Sequence, residues 1–162
     1  MNKIYSDSVL YAYSVLENLI DQYDGTIMKK ALGSIDDYSP AIVQCEAIIR
    51  LSYQKQLIID LYLKVEKILK NFDESEMMHF EYKYFRRKPR SFFKEFDASS
   101  RKYFRKQVSL SKKFADLLEK SGITDEVFEK EYLEIEFFKE LSEMVKEKEE
   151  KSIKNTAKRK AA

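Results

Sequence analysis

The chain has 162 residues, 44% of them hydrophobic and 36% charged, with a formal net charge of +2, enough to bury one modest core under a heavily charged surface. Three glycines, two prolines and an abundance of Leu, Lys, Glu, Ile, Phe and Tyr disfavour a turn-dense sheet and predict an all-α fold, a helical bundle. The lone Cys45 excludes an internal disulfide, no apolar run reaches the roughly 20 residues of a membrane span, and MNKIYSDSVL lacks an apolar signal core, so a soluble cytoplasmic protein is expected.

Ser6 is placed to cap a first helix running through VLYAYSVLENLIDQY to a stop at Gly25, with Val9, Tyr13, Leu16 and Ile20 at helical spacing. The stretch from Gly25 to Tyr38 is ambiguous, one reading being a short helix ending at Gly33 followed by a loop. Ser39-Pro40 then predicts an N-cap followed by proline at the first helical position of AIVQCEAIIRLSYQKQLIIDLYLKVEKILK. In that helix Ile48, Leu51, Ile58, Leu61, Val65, Ile68 and Leu69 would pack against the first, and Cys45 would lie on an apolar face. Residues 1–70 thus form an N-terminal helical hairpin.

Asp73 and Glu76 have capping-box spacing, so a helix begins there, carries Met77, Met78, Tyr82 and Phe85, and is interrupted by Pro89. Residues 90–96 predict a short helix that turns Phe92, Phe93 and Phe96 to the core. DASS is a turn, and a longer helix runs from Ser100 to Leu118 with Tyr103 or Phe104, Leu110, Phe114 and Leu117 buried. Gly122 closes it, and Thr124 with Asp125 and Glu126 opens a last, acidic helix. The apolar side of that helix, Val127, Tyr132, Ile135, Phe138, Leu141 and Val145, would pack on the bundle or on a second copy of the chain, giving a homodimer. Residues 151–162 form a basic tail expected to fray.

Charge is segregated along this order. Residues 1–80 hold eight basic and twelve acidic side chains, whereas Glu81 to Lys113 holds twelve basic and three acidic ones, so the working surface is expected there. Arg101 and Arg105 lie one turn apart, as do Lys102 and Lys106, with few acids nearby to pair with. Ser99 and Ser100 stand where hydroxyls and free backbone N–H groups hold phosphate. Arg86, Arg87, Lys88 and Arg90 flank Pro89 as phosphate contacts that position rather than specify. Lys112 and Lys113 divide evenly between contact and plain solvated face. Most aromatics belong to the core, and Tyr84 and Tyr103 are left open as stacking platforms for bases.

The lone His79, without a companion ligand, predicts no zinc site. Asp36 with Asp37, and Glu134 with Glu136, have no nucleophile or glycine-rich phosphate cradle beside them. Neither an enzyme nor a cofactor is expected.

The order helix, short helix, turn, helix over residues 71–120 is that of a helix-turn-helix. ESEMMHFEYKYF, then RSFFKEF, then a turn ending in serine, then RKYFRKQVSLSKKFADLL resembles region four of bacterial sigma factors and the sigma-like phage transcription regulators of the ArpU type, over Val65 to Leu118. Phe93 stands where that family has a small residue and Asp97 where it has glycine. The resemblance implies that the helix after the serine reads promoter DNA, that Ser99, Ser100, Arg101, Lys102, Arg105 and Lys106 fall at DNA contacts, and that RNA polymerase is a second partner. No promoter-melting signature is recognisable in residues 1–70, which favours a regulator with one such module over a complete sigma factor. The expected function is therefore duplex DNA binding in transcription regulation. The alternatives are a helical adaptor for RNA polymerase or another protein, and a non-specific RNA-binding protein.

Overall fold

Asn2, rather than Ser6, starts the first helix. Its side chain accepts a hydrogen bond from the Ile4 N–H at 2.9 Å, satisfying one of the orphan donors of α1, Lys3–Tyr13. The computed structural model describes residues 1–33, 40–93 and 100–161, without the side chains of Arg90, Phe92, Ile153 and 155–161. Over the described residues the protein is all-helical, and none of these helices is long and apolar enough to cross a membrane.

The single first helix expected from the sequence is two. The chain tightens after Tyr13, where the Val15 N–H reaches only back to the Ala12 carbonyl at 2.8 Å, and α2 then runs Leu16–Gly33. Gly25 lies inside α2 and does not end it. A glycine in an exposed helix interior costs about 1 kcal/mol, and packing along a neighbouring helix outweighs that. The neighbour is α3, Ala41–Leu69. Tyr23 donates to Gln54 at 3.2 Å, Lys55 pairs with Asp24, and Tyr62 donates to Glu17, zipping the two antiparallel helices together.

Pro40 itself is the extended residue before α3, and Ser39 lies outside the described residues. Burial along α3 is uneven. Ile58, Leu61, Val65, Ile68 and Leu69 are buried as expected, whereas Ile48 and Leu51 are only half-buried and Cys45 is exposed. The first half of α3 has α2 as its partner, and one flanking helix covers one strip. Cys45 sits off that strip, in line with the exposed Ile42 and Ile49, so its apolar face is an uncovered one.

The core gathers around α1. Ser6 to Leu10 are all buried, because the helices over Arg101–Lys120 and Glu136–Ala161 and the turn over Glu81–Phe85 surround this helix. Val9 and Leu10 meet Ile58 and Val65 of α3, Phe80, Phe114 and Leu118, and Phe128, Tyr132 and Phe138 in a single apolar cluster. Side chains from the hairpin, the central segment and the acidic C-terminal segment thus share one core.

Helix α4, Glu74–Phe80, opens with the expected capping box: the Glu76 N–H donates to Asp73 Oδ1 at 2.8 Å and the Asp73 N–H to Glu76 Oε2 at 3.3 Å. It widens into a π turn over Glu81–Phe85, closed by the Arg86 N–H on the Glu81 carbonyl at 2.8 Å. Adjacent Tyr84 and Phe85 are both buried there. The helix therefore ends at Phe85, before Pro89, with Arg86 at φ 51°. A short 3₁₀ helix, Arg90–Phe93, follows.

Helix α5, Arg101–Lys120, is closed by Gly122 at φ +93°, a left-handed backbone that a side chain would strain. Thr124 caps α6, Asp125–Val127, which runs into a second π turn, Phe128–Tyr132. The single acidic helix expected from Thr124 is thus divided, and α7, Glu136–Ala161, holds its later part together with the basic residues 151–161 expected to fray.

Candidate nucleic-acid interface

Ser100 sets the start of α5, its Oγ accepting from the Tyr103 N–H at 3.1 Å. From there the helix is sharply two-sided. Tyr103, Gln107, Leu110, Ser111, Phe114, Ala115 and Leu118 are buried, a row stepping by three and four residues. Arg101, Lys102, Phe104, Arg105, Lys106, Val108, Lys112 and Lys113 are exposed. Between Tyr103 and Phe104, it is Tyr103 that turns inward. Its ring stacks on His79 at 5.2 Å, and Phe104 faces outward.

Neither tyrosine left open for base stacking is available for it. Tyr84 donates its hydroxyl proton to Asp7 Oδ1 at 2.8 Å, receives Lys83 Nζ at 2.7 Å and lies 2.9 Å from Ser111 Oγ. Three elements, α1, the π turn and α5, thus meet at one phenol. Burial pushes the Tyr84 hydroxyl well up from its ordinary value and pushes the Lys83 ammonium down. Tyr103 is likewise buried, and burial raises its phenol.

The six cations of α5 from Arg101 to Lys113 divide into two groups. Lys106 and Lys113 reach back to one carboxylate of α4, Glu76, at 3.0 and 3.3 Å. Lys113 also lies 4.4 Å above the Phe72 ring. The Lys106 ammonium, with the Asp73 N–H and Lys113, holds the Glu76 carboxyl below its ordinary value against a smaller opposing effect of burial. These two lysines brace α5 on α4. Arg101, Lys102, Arg105 and Lys112 form the other group: all are exposed, and none makes an ion pair among the described residues.

The cations around Pro89 also differ among themselves. Arg87 lies over the Tyr13 ring at 5.2 Å. Arg86 and Lys88 are exposed and border a cavity of about 300 Å³ with Glu81, Tyr82 and Phe93. Arg90 begins the 3₁₀ helix, and its side chain, like Ser99 and Asp97, lies outside the described residues. Phe93, the bulky residue at an expected small position, is buried edge-on against Tyr82 at 5.3 Å, so its volume is absorbed by a ring.

Two features escape sequence reasoning. Glu76 is far from Lys106 and Lys113 along the chain, so its pairing leaves no local signal. The outward Phe104 and Val108 were legible in principle, since both fall outside the row Tyr103, Gln107, Leu110, Phe114. Away from α5, another exposed apolar group lies on the hairpin, where Met28, Leu32, Ile42, Val43 and Ile49 stand outside the core. On the α1 and α7 side, Lys3 is matched by Glu149, and Lys148 sits 5.0 Å from the Tyr11 ring. Comparison with family models, curated proteins and solved structures finds no match to this chain.

Proposed function

We propose that the protein binds duplex DNA through the outward face of α5 and acts as a sigma-like transcriptional regulator. In this reading α4 with its π turn, the 3₁₀ helix and α5 form a helix-turn-helix, and α5 is its reading helix. The observation that carries it is the group Arg101, Lys102, Arg105 and Lys112, exposed and without ion pairs among the described residues, on a helix whose opposite face is fixed in the core. Cations placed this way break no ion pair when they meet phosphates, and the start of the helix at Ser100 favours an anion at the same end.

With Arg86 and Lys88 added, about six phosphates are neutralised, so log affinity falls against log salt with a slope of roughly −5. Fluorescence anisotropy titrations on a labelled duplex at several KCl concentrations measure this. Arg101→Ala with Arg105→Ala shrinks the slope by about two and weakens binding more than Lys112→Ala with Lys113→Ala, because Lys113 already serves Glu76. Salt-insensitive or undetectable binding would overturn the reading.

A second reading, a helical adaptor that docks on RNA polymerase or another protein, is favoured by the exposed apolar side chains of the hairpin. Pull-down from nuclease-treated extract separates the two, since an adaptor retains its partner and a DNA reader loses nucleic-acid-bridged ones. A single-strand RNA binder is the weakest reading, because Tyr84 and Tyr103 are buried.

A further inference from the structure

Charge explains the cations on α5 but not the two apolar side chains between them. Phe104 is 58% exposed and Val108 66%, one helical turn apart and in the same row as Lys112. Arg101 and Arg105 lie beside that row. A single exposed apolar residue is ordinary. Two large ones in line, on a stretch of helix that holds six cations and no acid from Arg101 to Lys113, are not what a merely solvated face requires. Phe104 is also held in place. Its ring sets edge-on against Tyr103 at 5.3 Å, and Tyr103 is itself stacked on His79.

An occupant of this face must be strongly anionic and must offer apolar groups at a spacing of about 6 Å, the rise over four helical residues. A DNA duplex does both. Its phosphates match Arg101, Lys102, Arg105 and Lys112, and the apolar group that a base pair presents in the major groove is the C5 methyl of thymine. Two base-pair steps span about 6.8 Å, close to the separation of the two side chains along α5 when its axis follows the groove. An acidic amphipathic helix also repeats apolar side chains at about this rise, so the preference for a duplex rests on Arg101, Lys102, Arg105 and Lys112, outward cations that match a run of phosphates, and the methyl itself is what the test below varies.

We infer that Phe104 and Val108 are specificity-determining residues that pack on thymine methyl groups two base-pair steps apart, with Arg101 and Arg105 holding the flanking phosphates. The inference rests on the DNA-binding reading above and adds the base that is read. It makes this chain selective for A·T pairs through a contact that involves no hydrogen bond.

The test uses the full chain and two duplexes that differ in one group, an alternating A and T duplex and its counterpart with uracil in place of every thymine. The thymine duplex presents a methyl at every second position of each strand, and the uracil duplex presents none. Wild-type protein is expected to bind the thymine duplex about fivefold more tightly, the value of burying one to two methyl groups partially. Phe104→Ala with Val108→Ala should bind both duplexes equally, at the wild-type uracil affinity. Arg101→Ala with Arg105→Ala should weaken both and keep their ratio. Both side chains are exposed, so circular dichroism melting of the double variant should match wild type, which separates lost contact from lost fold. Equal wild-type affinity for the two duplexes would overturn the thymine inference and leave DNA binding intact. Absence of binding to either, with the double variant instead losing RNA polymerase in pull-down, would overturn both in favour of a protein partner.

Discussion

Helix α5 and the distal part of the α2–α3 hairpin both expose apolar side chains, yet they do so for different physical reasons. One full face of α5 is fixed in the core by Leu110, Phe114 and Leu118, and its outward residues ride on that rigid support. The part of the hairpin before Ile58 has one helix against another, and its Met28, Leu32, Ile42, Val43 and Ile49 are exposed, with no third layer over them among the described residues. A helix with a buried row can present a surface with defined geometry, whereas two helices alone cover one strip of each other. Stability and function are therefore expected to respond in opposite ways to substitutions in the two regions.

The largest effect is expected at the root of α5. Phe114 is fully buried and meets Phe80 at 6.2 Å, so Phe114→Ala should cost about 3–5 kcal/mol in denaturant unfolding. The same measurement on Leu32→Ala should read less than about 0.5 kcal/mol. Comparable losses at the two sites would show that the hairpin is packed as tightly as the core.

Next comes the phenol that ties α1 to α5. Tyr84→Phe removes the donor to Asp7 and the acceptor for Lys83, leaving a buried carboxylate less well satisfied, at a cost of about 1–3 kcal/mol. The pH dependence has a definite sign. The Tyr84 hydroxyl is raised above its ordinary 10 in the folded state, so the stability it contributes is complete below pH 10 and is lost as pH rises beyond it. Wild-type protein should lose stability at alkaline pH more steeply than Tyr84→Phe. Parallel profiles would show that another phenol controls the alkaline limb.

How much of this was legible beforehand follows the range of each interaction. The Asp73–Glu76 box, the Ser100 and Thr124 caps and the Gly122 stop rest on contacts within a few residues, and each stands where its spacing places it. The inward row of α5 follows from periodicity, once the choice between Tyr103 and Phe104 is made by packing on His79. Gly25 is a local signal overruled by tertiary contact with α3, and Cys45 lies in an apolar run that its single neighbouring helix does not cover. Tyr84 with Asp7, and Glu76 with Lys106 and Lys113, join residues remote in sequence. No window along the chain carries those pairings, so the bracing Lys106 and Lys113 separate from the outward Arg101, Lys102, Arg105 and Lys112 only in three dimensions.

Glu76 offers the smallest effect and the sharpest comparison between those groups. Its carboxyl is held below the ordinary value, chiefly by Lys106, so its contribution to stability is present above about pH 4.5 and is lost as pH falls through the lowered folded value. Glu76→Gln should flatten the acid limb slightly and shift the melting temperature by little, since exposed lysine ends repay a carboxylate weakly. Its effect on DNA should have the opposite sign. Lys106 and Lys113, released from Glu76, become two further cations on the basic helix, and the salt slope should steepen by about one to two. Anisotropy titrations of Glu76→Gln and wild type on the same duplex read that change directly. An unchanged slope would show that the braced lysines lie outside the footprint even when free, confining the contact surface on α5 to Arg101, Lys102, Arg105 and Lys112.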